Sequence, residues 1–380
     1  MRPAARKLLL STHVWAGLGL GVLLVVMAVS GTLLVFRAQL ERRLDARRFV
    51  VAPGAVRLPV DALVARARAA HPSAEIESVH SYGDPTMPLL VYFTNREYVH
   101  LDPYTGAVLG VRQRYGEGFG FIEGVHKFFQ LPPSIGEQVS GYTALAFSFI
   151  IVSGLILWWP ATRRALKAGL VLNGKLRGRP WNLSLHKVVG AYAALVLLVS
   201  CLTGVPISLD WAKQALYPLT GSVRALPPEL PDHGVFSGFG AAVAAVSARF
   251  PAAREIYVPL PKAGVVAAYA IEAGAPHPNA RSYVWLESAT GRIRQAAPYA
   301  QASAGLWLYY WMMSLHTGAV GGPWVQVILL LGALSVPLLA YTGAVSYVRR
   351  QSSRAAKVVP PGPALAPVAP ASGGSRDFPR

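Results

Sequence analysis

Four of the nine histidines hold positions that could support redox chemistry. His13 and His186 each stand at the start of a long apolar run, and His126 and His316 each precede another. If these runs cross a membrane, the histidines are costly there, and such side chains are usually functional. Neutral imidazole is a good axial ligand for iron, so the two pairs predict two haems, each held by two histidines. Zinc fits less well because a structural zinc site gathers four ligands at one point.

The histidines leave a simpler alternative open. A single histidine at a membrane surface can be explained by a hydrogen bond to a backbone carbonyl, without any ligand. Two pairs at related places make that explanation weaker. The remaining histidines are expected at the surface of the outer segments: His71, His80, His100, His233 and His277.

Four apolar runs are long enough to cross a bilayer, which takes about 20 helical residues. Core helices of soluble proteins rarely reach this length with almost no charge. The composition agrees, since 14% of the residues are charged against about 25% in soluble domains. The single cysteine, Cys201, excludes a disulfide framework, a CxxC zinc site and covalent haem attachment through CxxCH. The predicted membrane helices are 12–36, 139–159, 184–209 and 324–348.

The formal charge of +18 indicates topology rather than a nucleic-acid partner. Basic residues cluster in the segments 1–11, 160–183 and 349–380, which contain one acidic residue, Asp377. Such segments stay on the cytosolic side, so both termini are expected there. The longer segments 37–138 and 210–323 are then outside. The first run is longer than the apolar core of a signal peptide and no A-x-A site follows it, so we interpret it as a retained anchor.

The two halves of the chain repeat. His13 precedes Gly31 by 18 residues, and His186 precedes Gly204 by 18, which is five whole helical turns. Each histidine therefore shares a helix face with its distant glycine. Close helix packing through small residues is the alternative use of such glycines. The candidates for packing against haem are Gly17, Gly31, Gly190 and Gly204.

The outer segments repeat as well. Amphipathic helices are predicted at 58–70 and 237–249, and the turns LDPYTG and LESATG align between predicted strands. The glycine that ends each turn suits a positive φ. The fold class is thus an integral membrane α-helical protein with four transmembrane helices in two parallel repeats, each carrying a small α+β domain outside. The tail 349–380, rich in Ala, Pro, Ser and Gly, is expected to be a disordered cytosolic segment.

Membrane topology limits how the histidines can pair. His13 and His186 lie on the cytosolic side and can share one haem, while His126 and His316 lie on the outer side and can share another. A pair from opposite sides would have to bridge most of a core about 30 Å thick.

Several sequence blocks carry a resemblance to a known family. They are RKLLLSTHVWAGLGLG, SGTLLVF, LDPYTGAVLG, SGLILWWP followed by TRR, LHKVVGAY, and LHTG before the last helix. Together they resemble the PepSY-associated transmembrane-helix family, including its ferric-siderophore reductases of the bacterial inner membrane. The second outer domain departs from the pattern, because ESATG stands where the DPYTG turn is expected.

The resemblance implies an activity and its cofactor. It implies two b-type haems that carry electrons outward to ferric iron in a siderophore, with His13, His186, His126 and His316 as axial ligands. It also implies that the outer domains are PepSY-like and periplasmic. No glycine-rich dinucleotide motif follows a predicted strand, so the electrons are expected from a quinol or from a cytosolic reductase. Membrane lipid is the other expected partner.

Two other functions stay open from the sequence. The chain could be a membrane-anchored PepSY protein that binds an envelope partner or a peptidase without catalysis. It could also be a siderophore or metal transporter, although no acidic residue lies inside a membrane run, whereas ion pathways often use one.

Overall fold

The computed structural model describes residues 2–160, 162–229 and 235–358. The helices are α1 (Pro3–Leu34), α2 (Arg37–Leu44), α3 (Ala46–Phe49), α4 (Val60–Ala70), α5 (Gly118–Phe128), α6 (Pro133–Trp158), α7 (Arg163–Leu170), α8 (Gly178–Ser208), α9 (Asp210–Leu219), α10 (Phe239–Arg249), α11 (Ala304–His316) and α12 (Gly322–Val358). The strands are β1 (Ile76–Tyr82), β2 (Leu89–Phe93), β3 (Glu97–Leu101), β4 (Val108–Gln113), β5 (Ala253–Pro259), β6 (Val265–Glu272), β7 (Arg281–Glu287) and β8 (Ile293–Ala297).

Four helices, α1, α6, α8 and α12, are long and apolar enough to cross a membrane, as the sequence predicts. They form a bundle in which α1 and α8 each pack against both α6 and α12. Leu24, Leu197 and Val336 meet in its interior. Other apolar side chains point outward, and Val22 and Leu195 are 76% and 72% exposed. An exposed apolar surface of this kind suits contact with lipid tails.

The last helix is longer than the sequence predicts. Helix α12 continues to Val358, so the expectation of disorder is wrong for 349–358. Residues 349–358 contain neither proline nor glycine and are mostly Arg, Gln, Ala and Lys, which favour a helix. The rest of the predicted tail, 359–380, lies outside the described residues.

The two segments that are predicted to lie outside build one sheet rather than two separate domains. Its order is β4-β3-β2-β1-β5-β6-β7-β8, antiparallel throughout. Strands β1 and β5 join the halves, with His80 opposite Tyr257. The predicted turns connect β3 to β4 and β7 to β8, and their glycines, Gly106 and Gly291, have φ of +72° and +68°.

Helices α4 and α10 cover one face of this sheet. Leu63 of α4 and Val246 of α10 pack with Val91, Val258 and Val284 of the strands. Both helices lie where the sequence predicts amphipathic helices. Because side chains alternate along a strand, the opposite face carries a different set of residues and turns toward α5 and α11.

Helices α5 and α11 connect the sheet to the bundle. Helix α5 packs against α1 and α6, and α11 packs against α8 and α9. Phe129 and Gln130 have positive φ and reverse the chain between α5 and the start of α6. These two short helices carry His126 and His316.

Candidate functional site

The structure brings the four histidines together in two pairs. The ring centroids of His13 and His186 are 6.4 Å apart, and those of His126 and His316 are 6.1 Å apart. Each pair joins the first half of the chain to the second. These are the pairs that membrane topology allows.

His126 and His316, which we call the outer pair, are anchored on α1 and α8. Nδ1 of His126 lies 2.9 Å from the carbonyl oxygen of Met27 and 3.2 Å from Oγ of Ser30. Nδ1 of His316 lies 2.9 Å from the carbonyl oxygen of Ser200. The hydroxyl of the residue three positions on, Thr203, is 3.3 Å from the same nitrogen.

His13 and His186, which we call the inner pair, make the same kind of contact with α6 and α12. Nδ1 of His13 lies 2.9 Å from Oγ of Ser153. Nδ1 of His186 lies 3.1 Å from the carbonyl oxygen of Leu339 and 3.1 Å from Oγ1 of Thr342. All four transmembrane helices thus meet one histidine through a Ser/Thr-Gly dipeptide. The sequence shows these dipeptides as repeat markers, but not that they bind imidazole.

These contacts fix the tautomer of each ring. A carbonyl oxygen only accepts, and the hydroxyls already donate to their own helices, Ser30 to Val26 at 2.7 Å and Thr203 to Val199 at 2.7 Å. Nδ1 therefore carries the proton. Every hydrogen bond that the described residues make to these four rings goes to Nδ1. Nε2 keeps its lone pair, which is the arrangement of a metal-ligating histidine whose other nitrogen donates to a carbonyl.

A glycine leaves room for each imidazole ring of the outer pair. A Cβ on Gly31 would come 3.0 Å from Cε1 of His126, and a Cβ on Gly204 would come 2.9 Å from Cε1 of His316. The corresponding glycines beside the inner rings are Gly154 and Gly343. Gly31 and Gly204 therefore touch the imidazoles directly. Gly17 has nothing within 4 Å of an added Cβ, and Gly190 only a Leu339 methyl at 3.6 Å, so packing of haem against these glycines stays a prediction.

The spacing of the rings fits one metal between each pair. With a metal–nitrogen bond of about 2.0 Å and a ring centre about 1.2 Å beyond the nitrogen, two opposed imidazoles have centroids about 6.4 Å apart. The observed 6.1 and 6.4 Å agree. Among the described residues no group of three or more His, Cys, Asp or Glu side chains could hold a metal. Two ligands suit a metal whose other bonds come from a macrocycle, so the residues fit haem.

The family model for the PepSY-associated TM region matches residues 10–350. The chain belongs to this family. A search of curated proteins finds no match to it. With four helices able to span a bilayer, it is a membrane protein.

The two histidine pairs of this PepSY-associated protein lie at different depths of the bundle. From His13 to Ser30, and from His186 to Thr203, is 17 residues, or about 26 Å of helix. Apolar side chains fill the layer between the pairs: Leu24, Ile151, Leu197, Cys201 and Val336. The layer between the two sites is therefore mainly apolar.

Two further histidines of the PepSY-associated chain correct the expectation of surface positions. His100 is 1% exposed and packs its ring 5.3 Å from Phe49. Its Nδ1 is buried without a hydrogen-bond partner. Burial, with Arg112 and Arg48 adding to it, lowers the pKa of His100 to about 4. Alternation along β3 puts His100 on the sheet face opposite to Val99 and Leu101, where Phe49 of α3 covers it. No local sequence pattern shows that contact.

His277 is also buried, at 2% exposed. The backbone N–H of Asn279 donates to Nδ1, so Nε2 carries the proton and donates to the Tyr299 hydroxyl at 2.9 Å. Ser314 on α11 lies 2.9 Å from Nδ1, and burial lowers the pKa of His277. No sequence pattern predicts this tertiary contact.

The other three histidines separate into two groups. His71 and His80 are half-buried and lie 3.1 and 3.2 Å from the carboxylates of Glu97 and Glu255. His233 lies outside the described residues.

Proposed function

We propose that this protein is a di-haem electron carrier of the bacterial inner membrane that reduces ferric iron in a siderophore on the periplasmic side. One observation supports it above all: four imidazoles form two pairs, with Nδ1 bonded to a neighbouring helix and Nε2 left for a metal. Bound b-type haem would supply a one-electron iron couple whose potential depends on its axial ligands and surroundings.

The orientation in this proposal follows the basic residues. The segments 1–11, 160–183 and 349–380 carry +14 of the net charge of +18, and basic segments of this kind stay in the cytosol. The sheet and the outer pair, His126 and His316, then lie on the periplasmic side. The common element order of the two halves, helix, four strands, short helix and long helix, supports an internal repeat with its axis along the membrane normal.

The chain's own part is to hold four neutral ligands in place. The carbonyls and hydroxyls of the transmembrane helices keep each Nδ1 protonated and each ring oriented, and second contacts of this kind raise the basicity of a ligand. The apolar layer around Leu197 separates the two sites. The electron donor, a quinol or a cytosolic reductase, is assigned to the side of His13 and His186.

Anaerobic mixing tests the proposed activity. Purified protein reduced with dithionite, freed of excess reductant and mixed with a ferric siderophore should lose its reduced haem spectrum while a ferrous-specific chelator develops colour. His71→Gln, outside both pairs, should keep the rate, and His126→Ala should lose it. A reduced spectrum that persists with every ferric chelate would contradict reduction by this protein.

A second candidate function is binding of an envelope partner without catalysis. It is favoured by the outermost strands, β4 and β8, whose Val108 and Ile293 side chains are 44% and 36% exposed. An edge strand can pair with a strand of another protein. Colourless, folded protein from haem-replete cells would support this candidate over the first.

A further inference from the structure

The sheet face that turns away from α4 and α10 carries a ladder of rings. His80, Tyr257, Tyr269 and Tyr283 stand directly opposite one another on four successive strands, β1, β5, β6 and β7. Successive ring centroids are 4.8, 4.8 and 6.2 Å apart. On β2 and β3, Tyr92 and Tyr98 form a second step of this kind at 4.5 Å.

A guanidinium lies over each end of this ring system. The Arg281 guanidinium is 4.5 Å from the ring centre of Tyr269 and 5.4 Å from that of Tyr310. The Arg114 guanidinium is 5.5 Å from the ring centre of Tyr92 and 5.2 Å from that of Tyr115. We call these arginines and the tyrosines that they touch, with the ladder between them, the cation–aromatic face.

These two arginines differ from their neighbours in making no close ion pair with any residue that the structure describes, although Glu123 and Glu255 act on Arg114 and Arg281 at longer range. In the described part of the chain, neither makes an ion pair with a carboxylate, whereas Arg112 lies 2.7 Å from Glu41 and Arg37 contacts both Glu41 and Glu123. Arg281 and Arg114 are both half-buried. A guanidinium has five N–H donors, and keeping its charge out of water is costly unless an anion compensates it.

The carboxylates near these arginines are already engaged by other groups. Glu255 is engaged by His80 and by the Tyr269 hydroxyl, both at 3.2 Å. Glu123 is engaged by Arg37 and Lys127. A third cation, Lys213, lies 4.5 Å from the ring centre of Tyr309 and makes no ion pair among the described residues.

The cation–aromatic face lies beside the helices that carry the outer histidine pair. The Tyr115 ring is 5.1 Å from that of Phe128, two residues after His126 on α5. The hydroxyls of Tyr283 and Tyr310 are hydrogen-bonded, and Tyr310 is six residues before His316 on α11, or about 9 Å along the helix. A molecule on this face would be next to the outer site.

We propose that the cation–aromatic face is the acceptor site, and that it takes an anionic ferric chelate with aromatic rings, of the catecholate class. The inference rests on the proposed function and names its substrate class. Tyr92, Tyr269 and Tyr310 are buried, so the half-buried rings of Tyr98, Tyr115, Tyr257 and Tyr283 offer the stacking surfaces for the aromatic groups. The guanidiniums offer charge-assisted hydrogen bonds to the catecholate oxygens. The propionates of an outer haem are a second source of anionic oxygen for the same arginines, and the experiment separates the two.

Gallium complexes test binding without electron transfer, because Ga³⁺ mimics Fe³⁺ in charge but is not reduced. The haem-loaded protein is titrated with gallium tricatecholate and with a neutral gallium trihydroxamate, following the quenching of protein fluorescence. In the Arg114→Gln/Arg281→Gln double variant, Kd for the catecholate should rise roughly tenfold or more, and Kd for the hydroxamate should change less than twofold. Arg292→Gln, an exposed arginine outside this face, is the matched control and should leave both values unchanged.

Three outcomes would overturn the site assignment. Catecholate affinity unchanged in the double variant removes the arginines from the site. Equal losses of affinity for both gallium complexes would show that the site does not select its ligand by charge. Unchanged affinity with loss of the outer haem assigns the arginines to haem propionates. If the double variant does not fold, Lys213→Gln provides the same comparison and should weaken catecholate binding alone.

Different results would reject the proposed function. It is rejected by absence of haem or by a reduced spectrum that no ferric chelate reoxidises, whatever the gallium titrations show. Conversely, rapid reoxidation of the haem by neutral and anionic ferric chelates alike, with no preference in binding, would support the reductase function and reject the catecholate site.

Discussion

Replacing Gly31 by alanine tests whether the glycines of the Ser/Thr-Gly dipeptides make room for the imidazoles. The new Cβ would lie 3.0 Å from Cε1 and 3.4 Å from Nδ1 of His126, whereas carbon atoms pack best at about 3.5–4.0 Å. The ring must therefore move by about half an ångström. That movement stretches the Nδ1 bonds to Met27 and Ser30, which are 2.9 and 3.2 Å long.

The expected cost combines overpacking with a weakened hydrogen bond. Overpacking costs about 1–3 kcal/mol and a lost hydrogen bond about 0.5–1.5 kcal/mol. Together they predict that haem affinity of the outer site falls by roughly one to three orders of magnitude. Alanine is the best helix former, so α1 itself stays intact.

Haem titration of the apoprotein, read by difference spectroscopy, measures the effect. Gly19→Ala is the matched control on the same helix, because its Cβ meets nothing within 4 Å, and both haems should bind as in the parent protein. Outer-site affinity in Gly31→Ala equal to that in Gly19→Ala would refute the steric argument.

Three other predictions concern the second site contact, the outer domain and its joint. Thr203→Val removes the hydroxyl near Nδ1 of His316 but leaves the carbonyl bond, so the outer haem should be retained with a fall in affinity of less than about tenfold; its complete loss in a titration would contradict this. His100 is neutral when folded because its pKa is about 4, so the unfolded state takes up the proton first as pH falls from about 6.5 to 4. The free energy of unfolding should then drop by up to about 3 kcal/mol over that window, measured by thermal melts of the parent and His100→Gln, and identical pH slopes would contradict it. Asp61 on α4 accepts a hydrogen bond from the backbone N–H of Gly240 on α10 at 2.9 Å. Asp61→Ala should therefore lower the free energy of unfolding by about 1 kcal/mol. An unchanged melting temperature would show that this bond does not stabilise the contact between the two halves.

The sequence predicts well what periodicity and composition encode. Four apolar runs give α1, α6, α8 and α12, because membrane length and low charge leave few alternatives. The turns at Gly106 and Gly291 follow from local backbone chemistry. The equal spacing of His13 and His186 to their glycines places each histidine at the same depth, and topology restricts the pairing.

The rest depends on tertiary contacts that no local pattern contains. The joint between β1 and β5 is a pairing of strands far apart in the chain, so two predicted units become one sheet. His277 is buried by Ser314 and Tyr299, neither of which is near it in sequence. Ser30 and Thr203 are visible as repeat markers, but their use as imidazole partners appears only when α5 and α11 fold back onto the bundle.

The haem content of single-histidine variants tests the central claim most directly. Detergent-purified protein should give a b-type difference spectrum, and the pyridine haemochrome should give about two haems per chain. His13→Ala, His186→Ala, His126→Ala and His316→Ala should each retain about one, while His80→Gln retains two. Folded protein without haem, or four variants that all keep both haems, would contradict the account.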